Sequence, residues 1–379
     1  MILLVSVSAR MLAELATREG YDVCAVDRFG DFDLQRLCPS VSLMRDLGER
    51  GGMEQMVEVA EPIRADSVVY GAGLENRPDL VARLAAGRTL LGSEPETLRR
   101  VRDPMLLGAV LRDAGFAFPR TLAAQDAPEQ ADRERRWLRK PIRGGGGRGV
   151  REWRGGRPRG DVIVQERLAG LPCSAAAVAD GRSAVLLGVS EQLIGRRAFG
   201  TRGWRWCGNV APPRLPAREQ AALAAGAQAI CTQLASSFGL RGAFGVDLVW
   251  DGARPWVVEV NPRPVASLET LDAAYGVRSF VAHMDACAGR LPADVGRPRA
   301  AAGKAVLFAT GDLQVPDTSD WTARGIRDVP HPGEAIAAGR PICTLVATGQ
   351  SPESVLADLE ARAAALRTAL REVGVDAVA

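Results

Sequence analysis

A chain of 379 residues, 47% apolar and 25% charged, is long enough for two or three domains with substantial cores and is not a disordered chain. Its 48 basic and 45 acidic residues leave a net charge of +3, which argues against nucleic acid or an anionic membrane as principal partner. Seven scattered cysteines, two histidines and no apolar run of about eighteen residues exclude a zinc knuckle, a histidine-centred triad and a membrane-spanning helix.

The chain opens MILLVSVSARMLAEL, without a basic n-region or a cleavage site, so it reads as a first β-strand. With unpaired, buried thiols this points to a reduced cytoplasmic setting. A helix over 11–18 and a strand over 21–26 follow, a β-α-β start that predicts a parallel sheet with ligands near its strand ends. The first loop lacks Gly-x-Gly-x-x-Gly, so no dinucleotide site is predicted. Strand 68–70 runs into Gly-Ala-Gly-Leu-Glu-Asn. There Glu75 and Asn76 are either substrate contacts or a turn with a helix cap. One helical stretch is expected over 95–115, then a charged segment over 128–136 with no assigned role.

Residues 137–151 read WLRKPIRGGGGRGVR, a lysine followed by Gly144, Gly145, Gly146 and Gly147. Such glycines let backbone N–H groups close around an anion, although a glycine run alone also makes a linker. Lys140 sharpens the reading. Only it and Lys304 are lysine among the 48 basic residues, so a lysine kept beside a glycine loop is one whose compact ammonium is needed.

Residues 161–174, DVIVQERLAGLPCS, read as a strand entering a polar segment. Residues 190–213, SEQLIGRRAFGTRGWRWCGNVAPP, read as loop-rich. Arg202, Trp204, Arg205, Trp206 and Asn209 either line a substrate site or anchor a surface loop. In the first case arginine would grip a carboxylate and tryptophan would stack on a ring. An alanine-rich helix is expected over 217–238, packed beneath the element that follows.

That element, residues 242–264, reads GAFGVDLVWDGARPWVVEVNPRP and predicts a β-hairpin turning at Ala253. Asp247 then falls opposite Glu259 and Val249 opposite Val257. Val246, Leu248 and Trp250 share a core face with Trp256, Val258 and Val260. The other face carries Asp247, Glu259 and Asn261. This is either the polar face of an ordinary hairpin or a set of hard oxygen ligands for Mg²⁺, with Mn²⁺ as substitute.

Lysine, tetraglycine loop and Asp…Glu-x-Asn-Pro-Arg, in that order, resemble the ATP-grasp superfamily over about residues 98–264. The resemblance implies a mixed α/β and α+β chain. A Rossmann-like domain would occupy 1–95 and a two-subdomain ATP-grasp fold 96–290, its small subdomain about 120–190 and its large one about 191–290. A C-terminal segment, 291–379, would pack on them. It also implies ATP and Mg²⁺ as cofactors. Lys140 would meet the α/β-phosphates under a flap of residues 144–147, and Gln165, Glu166, Arg167 and Leu168 would flank adenine. Asp247, Glu259 and Asn261 would hold the metal, and Arg263 would face the transferring phosphoryl group.

Two positions depart from that pattern. Asp103-Pro104 stands where many relatives carry a second phosphate lysine, leaving that contact missing or supplied by Arg102. Pro172 stands where an acid usually meets the ribose. Lys304 is expected to be structural. The activity implied is ligation of a small-molecule carboxylate to an amine through an acylphosphate, without nucleic acid or membrane and with room for a homodimer. Gly-Leu-Glu-Asn and Cys-Gly-Asn-Val-Ala-Pro resemble a branch that includes tyramine–glutamate ligase, which serves methanofuran-type one-carbon coenzymes. The C-terminal Gly-Arg-Pro-Ile-Cys-Thr run resembles biotin-carboxylase-like enzymes, so a bicarbonate-using carboxylase of the biotin or purine-pathway kind is the alternative. The two departures also leave open a catalytically degenerate ATP-binding regulator.

Overall fold

Short, continuously apolar runs make strands buried on both faces. Three of them, β1 (Ile2–Val5), β2 (Val23–Asp27) and β4 (Ser67–Tyr70), form the centre of a parallel sheet whose edges are the less buried β3 (Ser40–Ser42) and β5 (Thr89–Leu90), in the order β3-β2-β1-β4-β5. This is the sheet that the β-α-β start predicts. The structure, a computed structural model, describes residues 1–48, 51–128, 135–293 and 295–376. The charged segment expected over 128–136 falls largely outside them.

The helical stretch expected over 95–115 is two helices, Pro95–Val101 and Pro104–Asp113. Asp103 breaks it. Its carboxylate accepts from the N–H groups of Met105 at 2.8 Å and Leu106 at 3.1 Å, and Pro104 takes the first helical position, where its missing N–H costs nothing.

A small antiparallel sheet follows, built from β6 (Thr121–Ala123), β7 (Trp137–Pro141), β8 (Arg151–Trp153) and β9 (Val162–Glu166) in the order β6-β9-β7-β8. Trp137 and Trp153 meet edge-to-face across it with ring centroids 6.4 Å apart. Beyond Glu166 come β10 (Leu171–Asp180), β11 (Ala184–Ile194), β12 (Trp206–Ala211), β13 (Arg241–Trp250), β14 (Pro255–Asn261), β15 (Ala301–Phe308), β16 (Leu313–Gln314), β17 (Ile326–Arg327), β18 (Ala335–Ile336) and β19 (Pro341–Gly349). β16 and β18 pair with each other. The other eight form one antiparallel sheet, ordered β14-β13-β10-β11-β12-β15-β19-β17.

The change of sheet therefore falls between Glu166 and Leu171. Residues 171–190, expected in the small subdomain, are strands of the large sheet. The C-terminal strands extend that same sheet instead of only packing on it. β10 explains the first difference. Its Ala175, Ala176, Ala177 and Ala179 are fully buried and small, so helices can pack closely on both faces of the sheet. Helix Ala217–Phe238 covers one face through Leu223, Ala227, Ile230 and Leu234, as expected. Helices Leu268–Tyr275 and Ser279–Cys287 cover the other.

The hairpin of β13 and β14 pairs Asp247 with Glu259 as predicted, but the register slips immediately afterwards, so that Leu248 faces Val257 and Val249 faces Trp256. A one-residue bulge turns every later side chain to the other face. Val257 and Pro255 are buried in place of Val258 and Trp256. Trp256 lies outside, where its indole N–H donates to Asp251 at 2.7 Å and its ring lies under Arg254.

A buried ion network ties the N-terminal domain to the C-terminal strands. Arg10, only 1% exposed, reaches Glu269 at 2.6 Å, Asp328 at 2.9 Å and Glu14 at 2.8 Å. Lys304 reaches the same Glu269 at 2.5 Å, which gives it the structural contact expected of it. All seven cysteines are free thiols. Among the described residues no helix is long and apolar enough to cross a membrane.

His283 supplies a pH test of the fold. It is fully buried and its Nδ1 accepts from the Ala243 N–H at 2.8 Å, so it is neutral, and burial lowers its pKa to about 4. The unfolded chain, with an ordinary histidine near 6.5, binds the proton first. Stability contributed by neutral His283 is therefore present above about pH 6.5 and is lost as pH falls towards 4, by about 3 kcal/mol in all. His283→Gln should remove that part of the dependence. Urea titrations of both proteins at about pH 7.5 and 4.5 check it, and parallel losses in the two would assign the effect elsewhere.

Candidate active site

One cavity of about 1810 Å³ opens between the small sheet, the large sheet and the N-terminal domain. A single ligand typically fills roughly 300–1,000 Å³, so this space suits more than one molecule. Both lysines of the chain, Lys140 and Lys304, line it.

Lys140 projects from β7, and Gln165 from the neighbouring β9 holds its ammonium at 2.8 Å. Gln165 is itself fixed by donating to Thr121 at 3.1 Å. Its side chain thus orients the lysine, a task the sequence reading did not give it. Burial lowers the Lys140 pKa, opposed by the negative charges of Glu259 and Asp247. The next hinge residues, Glu166, Arg167 and Leu168, line the cavity. The N–H groups of Glu166 and Arg167 already donate to the carbonyls of Arg120 and Arg136. Pro172 also lies on the wall.

Asp247 and Glu259 stand side by side on β13 and β14, with Asn261 two residues on. Asp247 accepts from Gln192 at 2.9 Å and from Asn261 at 3.3 Å. Burial and the neighbouring charge of Glu259 push the Asp247 carboxyl up to about 6. Burial acts the same way on Glu259, but the Arg102 guanidinium and Lys140 outweigh it and hold this carboxyl below its usual range. Two adjacent carboxylates, one of them raised by the other, form an oxygen donor set that fits Mg²⁺ or Mn²⁺.

Arg102 is the residue whose role the sequence left open. Its guanidinium bonds Glu259, the Val260 carbonyl at 3.1 Å, Asn76 at 2.9 Å and the Ile142 carbonyl at 3.2 Å. It stands behind Glu259 and is not part of the cavity wall. It braces the carboxylate and does not stand in for a phosphate-contacting lysine. Arg263 is likewise held, by Glu75 at 2.9 Å and by the Pro264 carbonyl at 3.0 Å. Glu75, expected at the substrate, is the buried partner of this arginine.

The glycine loop is docked. The Trp206 N–H donates to the Gly146 carbonyl at 3.1 Å, and Gly147 sits at φ +72 against the Trp204 carbonyl. A Cβ on Gly147 would come within 1.8 Å of that oxygen. Trp204 therefore receives the loop through its backbone, while its ring, on the cavity wall, lies under Arg167 at 5.0 Å. Arg205 lies over the Phe308 ring at 4.3 Å. Asn209 lines the cavity but donates to Ser190 at 3.0 Å, and Arg202 is off the wall. Gly147→Ala should lower ATP turnover tenfold or more with little change in melting temperature, because it obstructs only the docked loop. Unchanged turnover in this variant would mean that docking is dispensable.

Residues 101–267 match a family model described as the ATP-grasp domain. The match is confined to this segment, a little under half of the chain. Among curated proteins, the large chain of carbamoyl phosphate synthase from Deinococcus deserti is 25% identical over 233 residues, 55% of this chain and 22% of that protein. The chain thus spans about a fifth of that relative's length.

Two solved structures show a likeness in fold that extends beyond this segment. The biotin carboxylase domain of 2-oxoglutarate carboxylase from Hydrogenobacter thermophilus, in complex with MgADP, ADP and bicarbonate, superposes with a TM-score of 0.68 at 17% identity, covering 92% of this chain and 86% of that one. An L-amino acid ligase from Bacillus licheniformis gives 0.68 at 14% identity, covering 94% and 95%. Identities this low speak for the fold alone, and that likeness takes in the N-terminal parallel sheet and the C-terminal strands.

Proposed function

We propose that this chain is an ATP- and Mg²⁺-dependent carboxylate–amine ligase that forms an amide through an acylphosphate. The observation that carries this reading is the meeting, in one cavity, of the Lys140 ammonium, a docked glycine loop and the Asp247–Glu259 pair beside Arg263. Lys140 and the N–H groups of residues 144–147 receive the nucleotide phosphates. Asp247, Glu259 and Asn261 hold Mg²⁺, which offsets phosphate charge when bound. Arg263, fixed by Glu75, aims its remaining N–H groups at the carboxylate being activated. Catalysis here is positioning and electrostatic stabilisation and needs no histidine base. That agrees with His283 being buried on the Ala243 N–H and His331 bonded to the Gly30 carbonyl.

The finer reading joins glutamate to an amine, as in tyramine–glutamate ligases of methanofuran-type coenzyme synthesis, and rests on the Gly-Leu-Glu-Asn and Cys-Gly-Asn-Val-Ala-Pro segments. A cytoplasmic enzyme, with a homodimer allowed, belongs to the same reading. The likeness to a biotin carboxylase domain supports a second one, in which bicarbonate is the activated carboxylate. Phosphate release from ATP separates them. Release that requires both an amino-acid carboxylate and an amine, with amide in the product, supports the ligase. Release with bicarbonate and no amino acid supports the carboxylase, and no release with any pair sinks both.

A further inference from the structure

Eight arginines line the cavity. Five of them, Arg10, Arg77, Arg143, Arg167 and Arg263, face a carboxylate at 2.6 to 3.4 Å. The other three, Arg148, Arg205 and Arg340, have no acidic partner among the described residues. They come from distant stretches of chain: just after the glycine loop, just before β12 and just before β19.

Backbone contacts nevertheless bring the three together. Gly147 lies against the backbone of Trp204 and Arg205, and Trp206 bonds Gly146, which sets Arg148 beside Arg205. The Arg205 guanidinium covers Phe308, whose strand partner is Pro341. The Ala309 N–H donates to the Arg340 carbonyl at 2.9 Å, which sets Arg340 beside the same ring. Burial and the like charges of Arg148 and Arg340 lower the Arg205 pKa, and no carboxylate counters them. Three guanidinia on one wall repel each other until an anion lies between them, and each can bond a phosphate or carboxylate through two N–H groups.

The geometry points to a second anion site at Arg148, Arg205 and Arg340, taking a phosphate or paired carboxylates at the far end of the non-nucleotide substrate. It is separate from the metal pair. β12 lies three strands from β13, which carries Asp247, and at ~4.8 Å per strand the two are about 14 Å apart across the sheet. Because Arg148 rides on the glycine loop, the site is complete only when that loop is docked. A substrate bearing this group therefore favours closure over the nucleotide.

The inference rests on the cavity being the nucleotide and substrate site, but binding is read without turnover. The full-length chain, saturated with MgADP, is titrated calorimetrically with inorganic phosphate and, separately, with succinate. At least one should bind saturably, and Arg340→Ala and Arg205→Ala should each weaken it tenfold or more. Arg340→Lys should weaken it less, and MgADP affinity should stay within about twofold in all three. Tighter phosphate binding identifies a phosphate-bearing substrate, and tighter succinate binding a polycarboxylate. The proposal is overturned if neither anion binds. It is equally overturned if Arg340→Ala leaves binding unchanged, since the anion then occupies the position of the nucleotide's own phosphate. Intact anion binding without ADP formation from any substrate pair would count against the ligase reading alone.

Discussion

Glu259→Gln should lower turnover by roughly two to three orders of magnitude, the range found when a charge-stabilising group is removed from an active site. Two effects add. A neutral amide is a poor ligand for a hard dication, and the Arg102 guanidinium, no longer neutralised, leaves positive charge beside the place the cation needs. The same pairing complicates the reading of stability, because an unpaired buried guanidinium costs about 1–3 kcal/mol. The double variant Arg102→Met/Glu259→Gln separates the two. It should recover much of the lost stability in a melt while turnover stays low. Raising Mg²⁺ should partly rescue the single variant, since its defect is in affinity. A folded Glu259→Gln protein with near-parental turnover would end the metal assignment.

Lys140→Arg should be almost as damaging, with kcat/KM for ATP falling about a hundredfold, or roughly 2.7 kcal/mol of transition-state stabilisation. The ammonium is a point charge held at 2.8 Å by Gln165 of the neighbouring strand, on the wall of the cavity. A planar guanidinium is larger, bonds as a fork and cannot take that place without displacing Gln165. Gln165→Leu tests the support independently. It leaves the charge but frees the side chain, so the expected loss is smaller, about tenfold. It should appear in kcat more than in KM, because the Gln165 side chain is spent on orienting the lysine. If Lys140→Arg matches the parent in both ATP affinity and turnover, Lys140 has no part in the chemistry.

Some of this was legible residue by residue. The β-α-β start, the long alanine-rich helix and the hairpin follow from apolar period, which is a local property. The pairing of Asp247 with Glu259 followed from counting outward from one turn. That count is off by one beside the turn, where Val249 faces Trp256, and holds at Asp247 only because a bulge between Leu248 and Asp247, chosen by packing on the face below, takes up the difference. The split of the 95–115 helix was, by contrast, written in Asp103-Pro104. In it Asp103 is a helix N-cap and Pro104 a first helical residue, both signals local to the chain.

The sequence by itself determined the inventory and the local geometry: two lysines, a glycine loop beside one of them, and two carboxylates on the facing strands of one hairpin. These are short-range facts of backbone conformation and strand pairing. Only the tertiary structure decided which charges meet across the chain. It gave Glu259 to Arg102 and Arg263 to Glu75, 157 and 188 residues apart, and fastened Lys140 to a glutamine that had been assigned to the base. It also left Arg148, Arg205 and Arg340 together without a carboxylate. The physical reason is that a charge has no period. Which opposite charge compensates it depends on distance and burial, and both are set by how the sheets close around the cavity.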